Sequence, residues 1–173
     1  MSVFFDTNVL FYLVDSNAPA KQARAQALFA AHSRDGDLVL STQVLVELYS
    51  ALTRKGVRSA ADALELVQLM AQERVQSANA AFVERALQLA QSRQLSSWDA
   101  LIVQAALDAD CVTLLTEDLQ DGARFDNGRL TVVNPFALAA HEPDTEHKPG
   151  PVTPPATAPA SSSRSRRGGG KPV

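Results

Sequence analysis

The chain has 173 residues, of which 46% are hydrophobic and 20% charged, with a formal net charge of −3. This is a one-domain length with enough apolar content to bury a sizeable core. Residues 1–140 carry 11 basic and 16 acidic side chains, and so acidic a body argues against a protein that coats nucleic acid by bulk charge.

In chain order, Val3-Phe4-Phe5 is a short apolar run that reads as a first strand. Ala20 to Ala31 is rich in Ala and Leu and reads as a helix. Leu38-Val39-Leu40 is a second buried strand, after which Ser41 and Thr42 offer N-caps for a helix to about Arg54, ended by Gly56. Ser59 starts a helix through Ala71, and Arg74 to Ser77 is a weak strand candidate. Asn79 caps a helix through Ser92, and Ser96 or Ser97 caps the next, Trp98 to Asp108. Val112 to Leu115 and Leu130 to Val133 are two further strands. Apolar strands separated by helices define an α/β fold with a central parallel sheet.

Composition changes near residue 140. Seven of nine prolines lie beyond it, while all ten aromatic residues lie before it. Residues 1–140 are therefore expected to form one folded domain. Residues 141–173, rich in Pro, Ser, Gly and Arg, are expected to form a disordered tail, because they lack the apolar surface to offset ordering entropy. The single cysteine, Cys111, fits a reducing compartment. No CxxC pair occurs and His32, His141 and His147 are scattered, which excludes the common zinc patterns. Asp6 comes too early for a signal peptide and no run of about 18 apolar residues occurs, so a cytoplasmic protein with no membrane contact is expected.

Four acids stand in positions that this pattern makes suspicious. Asp6 directly follows the first strand, and Asp118 follows the fourth. Glu47 sits in the apolar run Val44-Leu45-Val46-Glu47-Leu48, and Asp99 lies in the first turn of its helix. Taken singly, Asp6 reads as a helix cap, Asp99 as a favourable charge at a helix start and Asp118 as a turn residue. Glu47 is harder to dismiss, since a charge among core-facing positions is normally paired or bound to a metal. Together they change the balance: the carboxyl ends of parallel strands lie on one sheet edge, where ligands bind in such folds. Four carboxylates converging there need a cation, and hard oxygen donors favour Mg²⁺ or Mn²⁺ over zinc. Phosphodiester hydrolysis uses that equipment best.

The segments Phe5-Asp6-Thr7-Asn8-Val9-Leu10, Ser41 to Glu47, Trp98-Asp99-Ala100-Leu101-Ile102-Val103, Leu115 to Gly122 and Leu130 to Phe136 together resemble the PIN-domain ribonucleases, and among them the VapC-like toxins of bacterial toxin–antitoxin pairs. The resemblance covers about residues 2–138 and rests on the order and spacing of the motifs. It implies a PIN-like sheet of about five parallel strands and Mg²⁺- or Mn²⁺-dependent cleavage of single-stranded RNA. Asp6, Glu47, Asp99 and Asp118 become the acidic quartet, with Thr7 or Asn8, and Thr116, supporting them by hydrogen bonds. It further implies a homodimer and an antitoxin that lays a peptide beside the acids. The apolar helix 42–54 and those near 20–31 and 59–71 offer surface for such partners.

Several neighbours have two readings. Asp121 is an outer metal-site residue or part of the Asp121-Gly122 turn, and the turn is favoured. Glu117 should point away if Asp118 points in. Trp98 could stack on a base, but core packing is favoured. Arg54, Lys55 and Arg58 are either an RNA phosphate cluster or a solvated helix end, and the basic run Arg164 to Lys171 either adds non-specific RNA affinity or is a functionless extension, which is favoured. Two rival functions stay open. A phosphatase in the haloacid-dehalogenase style needs Asp-x-Asp after the first strand, where this chain has Asn8 as the third residue. A non-catalytic RNA-binding or protein-interaction module should have lost its acids, and here all four remain.

Overall fold

A computed structural model of the protein describes residues 1–137. The expected tail, 141–173, lies outside the described residues. Six strands form one sheet: β1 (Val3–Phe5), β2 (Leu38–Ser41), β3 (Arg74–Gln76), β4 (Thr113–Leu115), β5 (Arg124–Phe125) and β6 (Leu130–Val133). Their spatial order is β3-β2-β1-β4-β6-β5. The five strands expected from sequence all pair in parallel. The sixth, β5, is a two-residue antiparallel addition to β6 at the edge.

Helices α1 (Thr7–Tyr12), α2 (Pro19–Asp35), α3 (Thr42–Arg54), α4 (Ala60–Met70), α5 (Ala80–Arg93) and α6 (Ser97–Asp108) connect and flank the strands. Five begin at a side-chain cap on a backbone N–H: Asp6 for α1, Ser41 for α3, Ser59 for α4, Asn79 for α5 and Ser96 for α6. Each cap satisfies a donor that the first helical turn leaves without an internal partner. Helix α2 runs four residues beyond its expected end, to Gly36, which adopts φ 69° and closes the helix in the left-handed conformation that glycine permits.

Both faces of the central strands are covered, so β1 and β2 are buried at every residue. Phe4 and Phe5 have no exposed surface, and each contributes about 1.5–3 kcal/mol of hydrophobic stabilisation. In α3 the buried residues are Val44, Leu48 and Leu52, one every four residues, so Glu47 falls on the shoulder of the buried stripe. Cys111 is buried as a free thiol.

Strand order reverses beside β1. The chain steps outward from β1 to β2 and β3, then returns to lay β4 on the other side. Phe5 is in register with Leu115, so the residues that follow them, Asp6 and Thr116, emerge side by side. The Asp6 N–H extends the ladder to the Leu115 carbonyl at 3.1 Å. This crevice at the carboxyl edge, between strands whose connections diverge, is where a doubly wound sheet offers a binding site. No helix among the described residues is long and apolar enough to cross a membrane.

Candidate active site

Asp6 is both the last link of β1 and the N-cap of α1. Its Oδ1 accepts from the Thr7 N–H at 2.7 Å. Its Oδ2 accepts from the Thr116 hydroxyl at 2.7 Å and from Asn8 Nδ2 at 3.0 Å. Asn8 sits two residues further along α1, and its Nδ2 also lies 3.0 Å from Asp118 Oδ2 and 2.9 Å from Thr116 Oγ1. Thr116 Oγ1 in turn accepts from the Asp118 N–H at 3.1 Å, which turns the chain after β4. Thr7 reaches the other way and donates to Glu47 Oε2 at 2.9 Å. Gln43, one helical turn before Glu47, donates to its Oε1 at 2.7 Å. Asp6, Glu47 and Asp118 thus belong to one hydrogen-bond network, carried by Thr7, Asn8 and Thr116.

Asp99 is not joined to that network. Its carboxylate accepts from the Ser96 hydroxyl at 2.7 Å, within the cap of α6. The link across to α6 is made by Gln43, which lies 3.5 Å from the Trp98 carbonyl, one residue short of Asp99. Asp121 accepts from the Asn134 N–H at 2.8 Å and so ties the turn after β4 to the end of β6. Glu117 points away from Asp118 to the far side of α1, where it accepts from the Tyr12 hydroxyl at 2.7 Å and pairs with Lys21. Lys21 also donates to the Tyr12 hydroxyl, and its ammonium lies 4.5 Å from the centre of that ring. Sequence reasoning had no signal for this clamp, since Tyr12, Lys21 and Glu117 meet only through tertiary packing.

One neighbour departs from its favoured reading, and the basic trio divides between its two. Trp98 is 63% exposed, so it does not pack in the core. It lines a groove of about 800 Å³ together with Thr7, Gln43, Glu47 and, at the other end of α3, Arg54. Of the basic trio, only Arg54 lines this groove: Lys55 sits over the Phe11 ring, and Arg58 donates to the neighbouring Val57 carbonyl.

The electrostatics follow from burial. Asp6 is only 7% exposed, and desolvation drives its carboxyl up from 3.8 to about 6. The hydrogen bonds from Thr116 and Thr7 pull it down, and the charges of Asp118 and Glu47 push it up again. Asn8 shows the same imbalance geometrically. Its two N–H protons face three oxygen acceptors, while its own Oδ1 is buried without a partner among the described residues. Turning the amide over would set that oxygen against two carboxylates, so the site is short of positive charge in either orientation.

That deficit, with oxygen donors alone, fits a hard divalent cation. Among the described residues no three His, Cys, Asp or Glu side chains are gathered closely enough to enclose an ion by themselves. Oxygen donors of this kind suit a hard ion that keeps several waters and is held through one or two carboxylates.

A model of the PIN domain family matches residues 3–125, and the chain belongs to that family. Among solved structures it is similar to VapC20 of Mycobacterium tuberculosis, described as a Sarcin-Ricin loop cleaving toxin. The two share 25% identity and a TM-score of 0.55, over 65% of this chain and 87% of that one. It also resembles a chain of a toxin–antitoxin complex from Klebsiella pneumoniae, with 20% identity and a TM-score of 0.58, over 78% of this chain and 98% of that one. A third similar chain comes from VapBC2 of Rickettsia felis bound to a DNA fragment from its promoter, with 18% identity and a TM-score of 0.53, over 78% of this chain and 100% of that one. At these identities the last two likenesses speak for the fold. No curated protein matches the sequence at a significant level.

Proposed function

We propose that the protein is a metal-dependent endoribonuclease that cleaves single-stranded RNA and acts as the toxin of a toxin–antitoxin pair. The observation that carries this reading is the joining of Asp6, Glu47 and Asp118 into one cation-deficient network at the switch point of a PIN-domain sheet. Likeness to a cleaving toxin supports RNA as the substrate.

In this reading Asp6 and Asp118 hold Mg²⁺ or Mn²⁺, with Glu47 beside them and Asp99 as a fourth carboxylate from the start of α6. When bound, the ion lowers the pKa of water and neutralises charge on the phosphodiester. The chain's own residues do the rest. Thr116 and Asn8 fix the facing oxygens of Asp6 and Asp118. Thr7 and Gln43 orient the two oxygens of Glu47. Glu47 is half-buried and has no basic partner among its hydrogen bonds, so it remains available to accept a proton from an attacking water.

The phosphatase reading loses support at Asn8, which donates to the strand-1 aspartate and has no proton-relay carboxyl to offer. The binding-module reading loses support from the retained acids. Two similar chains come from complexes with antitoxins, which supports an antitoxin partner here. Of the three helices expected to offer apolar surface, α3 and α4 expose Val46, Tyr49, Leu64 and Leu69, whereas Leu28 and Phe29 of α2 pack on the core. A homodimer belongs to the same proposal, with α3 and α4 as its candidate faces.

The test is cleavage of a fluorophore-labelled single-stranded RNA in Mg²⁺, in Mn²⁺ and in EDTA. Cleavage with either ion, and none in EDTA or with Asp118→Asn, is the expected result. Equal activity of the variant, or activity in EDTA, overturns the proposal.

A further inference from the structure

Trp98 is the single tryptophan of the chain, and the structure leaves the residue 63% exposed at the start of α6. A large ring so exposed on a groove wall is an unfilled contact. The groove it lines is not remote from the chemistry. Glu47 and Thr7 line it, and Gln43 bonds Glu47 while lying 3.5 Å from the Trp98 carbonyl. The far end carries Arg54, exposed and facing the same groove. An aromatic wall, a carboxylate edge and one cation therefore lie along a single channel.

Resting on the nuclease reading of the acidic site, we infer that this groove is the substrate channel: Trp98 stacks on an unpaired base next to the cleaved phosphate, and Arg54 takes a phosphate further along the strand. The charge of the protein favours this division of labour. The described body is acidic and, among the described residues, Arg54 is the one basic residue along the groove, so bulk attraction of RNA is weak. Stacking is indifferent to phosphate charge and is available to every base. An apolar wall beside the acids supplies affinity where lysines and arginines do not. Duplex RNA keeps its bases stacked on one another and cannot offer a face to Trp98, so the channel selects single strands.

The sole tryptophan makes this directly measurable. Its emission is titrated with a single-stranded oligoribonucleotide on the wild type in EDTA, and on Asp118→Asn with Mg²⁺. Quenching is expected in at least one of the two, with a duplex of the same sequence much weaker. In cleavage assays Trp98→Ala should raise KM roughly 10-fold to 100-fold with little change in kcat, and Trp98→Phe should restore most of the loss. Arg54→Ala should flatten the dependence of log affinity on log salt by about 0.7, the share of one phosphate.

No quenching in either titration, or an unchanged KM for Trp98→Ala, overturns the inference. So does a Trp98→Ala protein that cleaves like the wild type but loses self-association in sedimentation, because the groove is then a protein interface. Quenching by RNA from a wild type that cleaves nothing with Mg²⁺ or Mn²⁺ upholds the channel and overturns the nuclease reading. Cleavage without quenching does the reverse.

Discussion

Asp6 concentrates the conflict between stability and function in one side chain. Its carboxyl sits at about 6 when folded and near 3.8 in an exposed reference, chiefly through burial. Between those values the folded protein binds more protons than the unfolded one, so stability falls as pH rises through that window. Above about pH 6 the metal-free protein carries the full penalty, on the order of 3 kcal/mol from this group. Asp118→Asn removes one of the like charges that raise Asp6, while its amide oxygen can still accept from Asn8. Thermal melts in EDTA at pH 8 should show the variant a few degrees above wild type, with the gap closing toward pH 4. A lower melting temperature at pH 8 would show that the Asp118 charge is paired rather than repelled. Cys111 is a simpler case: burial first, then Asp110 and Asp37 against the pull of Arg74, pushes its thiol up to about 12. It should stay silent to a thiol-reactive dye at pH 8 until denaturant is added, and prompt reaction in the native protein would contradict that burial.

At the scale of elements, the helices were the most readable part of the sequence. Ser41, Ser59, Asn79 and Ser96 announce their helices because a cap acts locally, within three residues of itself. Strand β5 left no trace, since two residues carry no period and Arg124–Phe125 pairs only because β6 is already there. The acids at strand ends were legible from topology alone. The split of the acids was not: Asp99 is drawn into its own cap, and Trp98 turns outward, through side-chain choices that spacing does not encode. Ser96 and Ser59 provide a matched comparison. Each caps a helix, and replacing either with Ala should cost about 1 kcal/mol in urea unfolding. Only Ser96 also holds the Asp99 carboxylate, so Ser96→Ala should slow cleavage while Ser59→Ala leaves it intact. Equal effects of the two on cleavage would remove Asp99 from the reaction.

For the whole molecule, the described core reaches almost to the last described residue. Phe136 is 3% exposed and packs edge-on against Tyr12, 5.0 Å between ring centres. Truncation after Ala140 should therefore leave circular dichroism, melting temperature and metal-dependent cleavage unchanged, and loss of the fold would refute a separate tail. The acidic site also sets the terms for an inhibitor. A partner that offers a guanidinium to Asp6 and Asp118 competes with the ion for the same charge. Inhibition by a co-purified antitoxin should weaken across a rising Mg²⁺ series, and inhibition indifferent to Mg²⁺ would point to occlusion of the groove alone.

The bond between Asp6 and Thr116 spans 110 residues of chain, and this distance has a consequence in time. A growing polypeptide is made from its N-terminus, and early strands wait for partners not yet translated. Strand β1 can meet β2 early, but its other edge stays open until β4 exists, and Asp118 is made after that. Every nascent or prematurely terminated product that stops short of Asp118 lacks one of the two carboxylates that would hold the ion. On the nuclease reading, no such fragment is active, and cleavage begins only once nearly all of the described chain has been made.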